Sequence, residues 1–147
     1  MLPTAQAEGK EREKEMKTGL ILEGGAMRGM FSAGVMDVMM ENGIRFDGII
    51  GVSAGAAFGV NYKSGQIGRA IRYNAKYCRD KRYCGVGSLL KTGNLFNTEF
   101  CYGEVPLKLD AFDFDTYEKD PTAFYVTCTD IESGKPVYHE YTGRNDH

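Results

Sequence analysis

The stretch GIIGVSAGAAFGV, residues 48–60, decides how the fold is read. It opens on Ile49, Ile50 and Val52, a short apolar run of the kind that forms a buried strand. It closes on Ala54, Ala56, Ala57, Phe58 and Val60, which favour a helix. Between them stands Ser53, with Gly51 and Gly55 two residues to either side. A sharp strand-to-helix turn strains the backbone at its centre and brings neighbouring chain close, so both flanks favour a residue without a Cβ. Such a turn lifts Ser53 Oγ out of the carboxyl edge of a sheet and sets the positive end of a helix beneath it. A small-residue crossover turn without chemistry has the same outline.

Working outward, Leu20–Leu22 form a second short apolar run that ends in Glu23-Gly24-Gly25. A helical pattern follows from about Met30 to Met40, apolar on most faces and therefore expected to be buried, and Asn42-Gly43 stops it. The order is strand, glycine loop, helix, strand, serine turn, helix. That order predicts an α/β fold with a mainly parallel sheet and right-handed crossovers. Residues 66–79 are expected to be helical, and Arg69, Arg72, Lys76 and Arg79 fall on one face of that helix. The face reads as solvated, or as a surface for anionic headgroups. Residues 84–120 carry several glycines and Pro106, with short helical pieces between them. The acids Asp110, Asp113, Asp115, Glu118 and Asp120 read as solvated loop residues. TAFYVTCT, residues 122–129, is a strand by β-propensity, and residues 136–141 return as its hairpin partner.

The 147 residues suffice for one domain with a real core. A charge of −2 gives no global signal for nucleic acid. No apolar run reaches the ~18 residues of a membrane span. Residues 1–17, rich in Lys, Arg and Glu, are expected to be a solvated or disordered extension, and residues 18–147 the domain. They lack the apolar centre of a signal peptide. Cys78, Cys84, Cys101 and Cys128 have no zinc-site spacing and read as reduced cysteines of a cytoplasmic protein. No metal is expected.

The second motif is EGGAMRG, Glu23 to Gly29. A dinucleotide loop fits poorly, because Ala26 stands where G-x-G-x-x-G has its middle glycine. An oxyanion hole fits better. The amides of Gly25, Ala26 and Met27 can converge on an oxygen that gains charge, and losing one such donor typically costs about 3 kcal/mol of barrier. Arg28 is expected to fix the loop through carbonyl oxygens or to hold a substrate phosphate. A glycine turn that merely eases helix–strand packing remains the plain alternative.

EGGAMRG followed by GVSAG resembles the patatin-like phospholipases, whose pattern is a Gly-Gly-Gly-x-Arg/Lys-Gly loop and then G-x-S-x-G. The likeness is close over residues 18–62 and looser to about residue 142. It implies a three-layer α/β/α sandwich, a Ser-Asp acyl hydrolase of lipid or phospholipid esters, and no cofactor. Ser53 then matches the nucleophile, and Gly24, Gly25, Ala26, Arg28 and Gly29 match the oxyanion loop. Ala26 departs from the third glycine; its amide still donates, but a positive φ there would be strained.

A serine hydroxyl needs a base to take its proton. The family's Asp lies in an Asp-Gly-Gly/Ala motif after the later strands. Here the one Asp-Gly is Asp47-Gly48, ahead of the nucleophile strand, so it does not match. The chain is therefore expected to be truncated at its C-terminus, with the dyad Asp missing and with little activity. The order Ser53, Asp130, His139 mimics a hydrolase triad, but the last two fall on one hairpin, where His139 suits a half-buried strand position. The alternative function is a catalytically silent lipid- or phosphate-binding module that uses the glycine loop and the basic face at residues 69–79. Under either reading the chain is expected in the cytoplasm, with peripheral contact to anionic membrane.

Overall fold

The computed structural model describes residues 16–146. Most of the charged extension expected for residues 1–17 therefore lies outside the described residues. Four strands form one sheet in the order β1-β2-β3-β4. They are β1 (Gly19–Leu22), β2 (Gly48–Gly51), β3 (Ala123–Thr129) and β4 (Pro136–Glu140). β1 pairs with β2 and β2 with β3 in parallel, while β3 and β4 form an antiparallel hairpin. The helices are α1 (Gly29–Glu41), α2 (Ala54–Lys63), α3 (Arg69–Tyr77), α4 (Val86–Thr92) and α5 (Phe114–Lys119). The α/β class and the mainly parallel sheet are as the sequence predicts.

Strand alternation builds the core. Leu22, Ile49 and Phe124 point to one face of the sheet and are buried there against α1, α2 and α5 through Ala33, Met36, Phe58 and Tyr117. The alternate residue Ile21 points the other way and is 76% exposed. The described residues thus build two of the three expected layers, the sheet and one helical layer. α1 begins one residue earlier than Met30 and is not buried all round: Ala33 and Met36 face the core, while Phe31, Val35 and Val38 are exposed. Its apolar residues exceed what one side of a helix can bury.

The largest departure from the sequence reading is at Arg69 and Asp110. α3 ends at Tyr77, so Arg79 lies beyond it and the four basic residues do not form one helical face. Arg69 is 4% exposed, its Nη1 donates to Asn61 Oδ1 (2.7 Å), and its Nε and Nη2 donate to the Asp110 carbonyl. Arg72 forms a bidentate pair with the Asp110 carboxylate, both bonds 2.8 Å. Asp110 is therefore a half-buried bracket between α3 and the following chain, not a solvated loop acid. Asp113 is exposed, as expected, and it also caps α5, accepting from Thr116 N at 2.9 Å. Asp115 and Glu118 pair with Arg144.

Hydrogen bonds from Arg72, aided by its charge and that of Arg69, hold the Asp110 carboxyl below its ordinary value. A carboxyl depressed in the fold stabilises it above the unfolded value near 3.8 and loses that contribution as pH falls. Asp110→Asn is therefore expected to be less stable than wild type at neutral pH, with the gap closing as the pH falls below about 4. Urea midpoints at pH 7 and pH 3 check this. A gap that stays constant would show that the carboxylate charge contributes nothing.

Candidate active site

The two glycine motifs meet at the carboxyl ends of β1 and β2. β2 ends at Gly51, Val52 N–H donates to Leu22 O at 3.0 Å, and the chain then reverses into α2. Ser53 at the corner has φ 50° and ψ −117°, a strained conformation that typically costs 1–3 kcal/mol. Gly55 explains how the corner fits. A Cβ there would stand 2.7 Å from the Leu22 carbonyl carbon and 2.9 Å from Glu23 O, so β1 runs directly against the first turn of α2. Gly51 is confined from the other side, where a Cβ would meet Ala56 Cα at 2.5 Å.

Gly24 closes the arrangement. A Cβ on it would lie 3.2 Å from Ser53 Cβ and 3.3 Å from Val52 O, which sets the glycine loop beside the serine. Ala26–Arg28 form one 3-10 turn that leads into α1, and Arg28 N–H donates to Gly25 O at 3.0 Å. The leading amides of a helical turn have no acceptor within it, so those of Ala26 and Met27 remain available. Ala26 has φ 47°, the left-handed region where a Cβ costs roughly 1–2 kcal/mol. The alanine for glycine exchange thus keeps the loop's shape at a local cost. Gly29 packs its backbone against Phe58 and Ala54. The Arg28 side chain is exposed and makes no hydrogen bond to a loop carbonyl among the described residues, so the expected fixing role is not what it does here.

Ser53, Ala26 and Met27 border a cavity of about 600 Å³. α2 contributes Ala54, Ala57 and Phe58 to its wall, and α3 contributes Arg69, Tyr73 and Asn74. The far wall comes from residues 96–114, among them Phe96, Tyr102, Val105 and Phe112. Part of that wall is a π-helical stretch, Glu99–Leu109. The amide of Ala54, first in α2, also lacks an intrahelical acceptor and sits beside Ser53. Thr127 Oγ1 is buried at the cavity without a hydrogen-bond partner among the described residues.

The titratable groups of the cavity are poor bases at neutral pH. Burial pushes Tyr73 up to about 12 and Cys101 up to about 11. It raises Tyr83 as well, and Tyr83 donates to Asn74 Oδ1 at 2.5 Å. Arg69 is lowered by its burial, with Asp110 opposing. Among the described residues no carboxylate or imidazole is hydrogen-bonded to Ser53. Asp130 accepts from Ser133 N and Oγ within the β3–β4 turn. His139 is exposed, not half-buried, and its Nε2 lies 2.9 Å from Asp146 Oδ1. Asp47 accepts from Thr18 at the opposite, amino end of β2. The structure therefore joins Ser53 to the glycine loop and leaves Asp130 with Ser133 and His139 with Asp146, apart from it and from each other. The cavity wall was not predictable from motifs. Its one sequence trace is the density of aromatic residues at Phe96, Tyr102, Phe112 and Phe114.

Among the described residues, no helix is long and apolar enough to cross a membrane. Comparison with known proteins fits the geometry. The uncharacterized protein YjjU of Escherichia coli (strain K12) is 29% identical over 136 residues, which cover 88% of this chain. The chain spans 37% of the length of that relative. The profile of the patatin-like phospholipases matches residues 20–146, a span that holds the glycine loop, the Ser53 corner, the parallel sheet and the cavity. The chain belongs to the patatin-like phospholipase family.

Proposed function

We propose that the protein is a serine acyl hydrolase of lipid or phospholipid esters, with Ser53 as its nucleophile. The observation that carries this reading is the juxtaposition of a strained Ser53 with the glycine loop at the mouth of an apolar cavity of about 600 Å³. In the first half-reaction Ser53 Oγ bonds to the ester carbonyl carbon and its proton passes to a base. The carbonyl oxygen, now charged, takes hydrogen bonds from the amides of Gly25, Ala26 and Met27, with Gly24 and Gly29 giving the loop its close approach. Such preorganised donors lower the barrier because they need no reorganisation as charge develops. The C–O bond to the alcohol breaks, the alcohol leaves with the base's proton, and water then releases the fatty acid from Ser53 by the same route.

The base is proposed to be an aspartate outside residues 16–146, since no carboxylate within them is hydrogen-bonded to Ser53. Arg28, exposed beside the loop, suits the phosphate of a phospholipid headgroup. The alternative of a silent binding module loses support from the basic residues, because Asp110 occupies Arg69 and Arg72. A fluorophosphonate probe separates the two. In a polypeptide that includes the base, labelling that disappears in Ser53→Ala is expected. Labelling that persists in that variant, or none in a polypeptide that includes the base, refutes the hydrolase reading.

A further inference from the structure

Residues 77–109 pack as a unit of their own. Tyr77, Tyr83, Phe100 and Val105 form a second small core, which Tyr73 joins to the one beneath the sheet. Gly85 N–H donates to Leu95 O and Asn97 N–H to Tyr83 O, which ties α4 to the chain that follows it. This core leaves large apolar side chains outside. Leu90 is 81% exposed, Val86 68% and Leu107 63%, and Leu95 is about half exposed. Exposed apolar groups gathered on one unit mark a contact surface.

Two further observations say what that surface meets. The first is charge. Arg79, Lys81, Lys91 and Lys108 are exposed and have no ion-pair partner among the described residues. Against them stands one such carboxylate, Glu99, because Glu104 and Asp80 are paired with Arg82. The second is continuity. Phe96 and Tyr102 belong to this unit, are exposed, and also line the cavity that Ser53 borders. Through these two side chains the unit reaches the cavity.

We infer that residues 79–109 are a docking surface for anionic lipid aggregates, on which Leu90, Val86 and Leu107 enter the acyl region while the lysines meet headgroup phosphates. Apolar insertion combined with electrostatic attraction is what holds a peripheral protein to a bilayer. Docking in this orientation sets the cavity mouth against the membrane, so an acyl chain passes from bilayer to Ser53 without crossing water. The inference rests on the lipid-ester reading above. It moves the membrane contact from the α3 arginines, which Asp110 holds, to the chain that follows them.

The test is sedimentation of the full 147-residue chain with phosphatidylcholine vesicles, with and without phosphatidylglycerol. Binding to the anionic vesicles is expected to exceed binding to the neutral ones and to weaken as salt is raised. The pair Leu90→Asp and Leu107→Asp is expected to lower the partition coefficient at least about 10-fold. Both positions are exposed, so melting should stay cooperative. Ile131→Asp, 97% exposed on the β3–β4 turn, is expected to bind as wild type. Equal binding by the Leu90/Leu107 variant, or equal loss in Ile131→Asp, overturns the inference. So does self-association of the chain without vesicle binding, which would assign the surface to a second copy. Fluorophosphonate labelling is scored separately, on a polypeptide that includes the base: labelling there with no vesicle binding by the chain sinks the docking surface alone, whereas no labelling there sinks the hydrolase reading.

Discussion

Gly55→Ala is expected to remove about 3 kcal/mol of stability and, in a polypeptide that includes the base, to abolish fluorophosphonate labelling of whatever fraction still folds. The added methyl would press on the carbonyl of Leu22 and on Glu23 O, and both are backbone atoms of β1 that no side-chain rotation can clear. Relief requires β1 and α2 to separate. That separation withdraws Leu22 O from Val52 N–H and carries the Gly24 loop away from Ser53. Stability and reactivity should fall together. Urea denaturation with an unchanged slope measures the first, and probe labelling the second. A midpoint near wild type with full labelling would show that the elbow tolerates a Cβ and would undo the packing argument.

Arg69→Met is expected to cost about 3 kcal/mol, although methionine fills much the same volume. The guanidinium is buried and donates to Asn61 Oδ1 and to the Asp110 carbonyl, so its removal strands two acceptors in a closed region. Arg72→Met, at the exposed partner of the same carboxylate, is expected to cost about 1 kcal/mol or less. The contrast is the measurement: comparable losses at the two positions would show that burial of Arg69 carries no weight. Arg69 also lines the cavity, so its loss should loosen the wall between α3 and residues 110–114.

These two residues mark where the sequence is legible. Gly55 belongs to a local pattern. Strand, corner and helix lie within thirteen residues, and the sterics that demand glycine act between near neighbours, so GIIGVSAGAAFGV reveals its own geometry. The glycine loop is legible for the same reason, including the positive φ of Ala26 that the exchanged glycine foretells. Arg69 is different. Its spacing with Arg72 and Lys76 reads as a solvated basic face, because helical periodicity says which residues share a side but not what covers it. The cover is Asp110, forty-one positions away, and nothing local announces it. α5 did carry a signal, since Asp113 caps it three residues ahead of Thr116, yet six residues among several acids read as loop. The π-helical stretch hides most completely. Pro106 within it argues against a helix, and only wide turns packed on Tyr77 and Tyr83 accommodate it.

The connection between β2 and β3 also sets the order in which the molecule assembles. β1, α1, β2 and the start of α2 are near neighbours in sequence, so the serine corner closes short loops and can form early. The parallel pairing of Gly48–Gly51 with Ala123–Val126 closes a much longer loop, which contains residues 52–122, and is expected later. Those residues make up most of the cavity wall. Ser53 is thus shaped first and enclosed last. The reverse holds for opening: partial unfolding sheds the cavity wall before it disturbs the corner. Hydrogen exchange should find the amides of residues 86–109 exchanging ahead of those in β1 and β2.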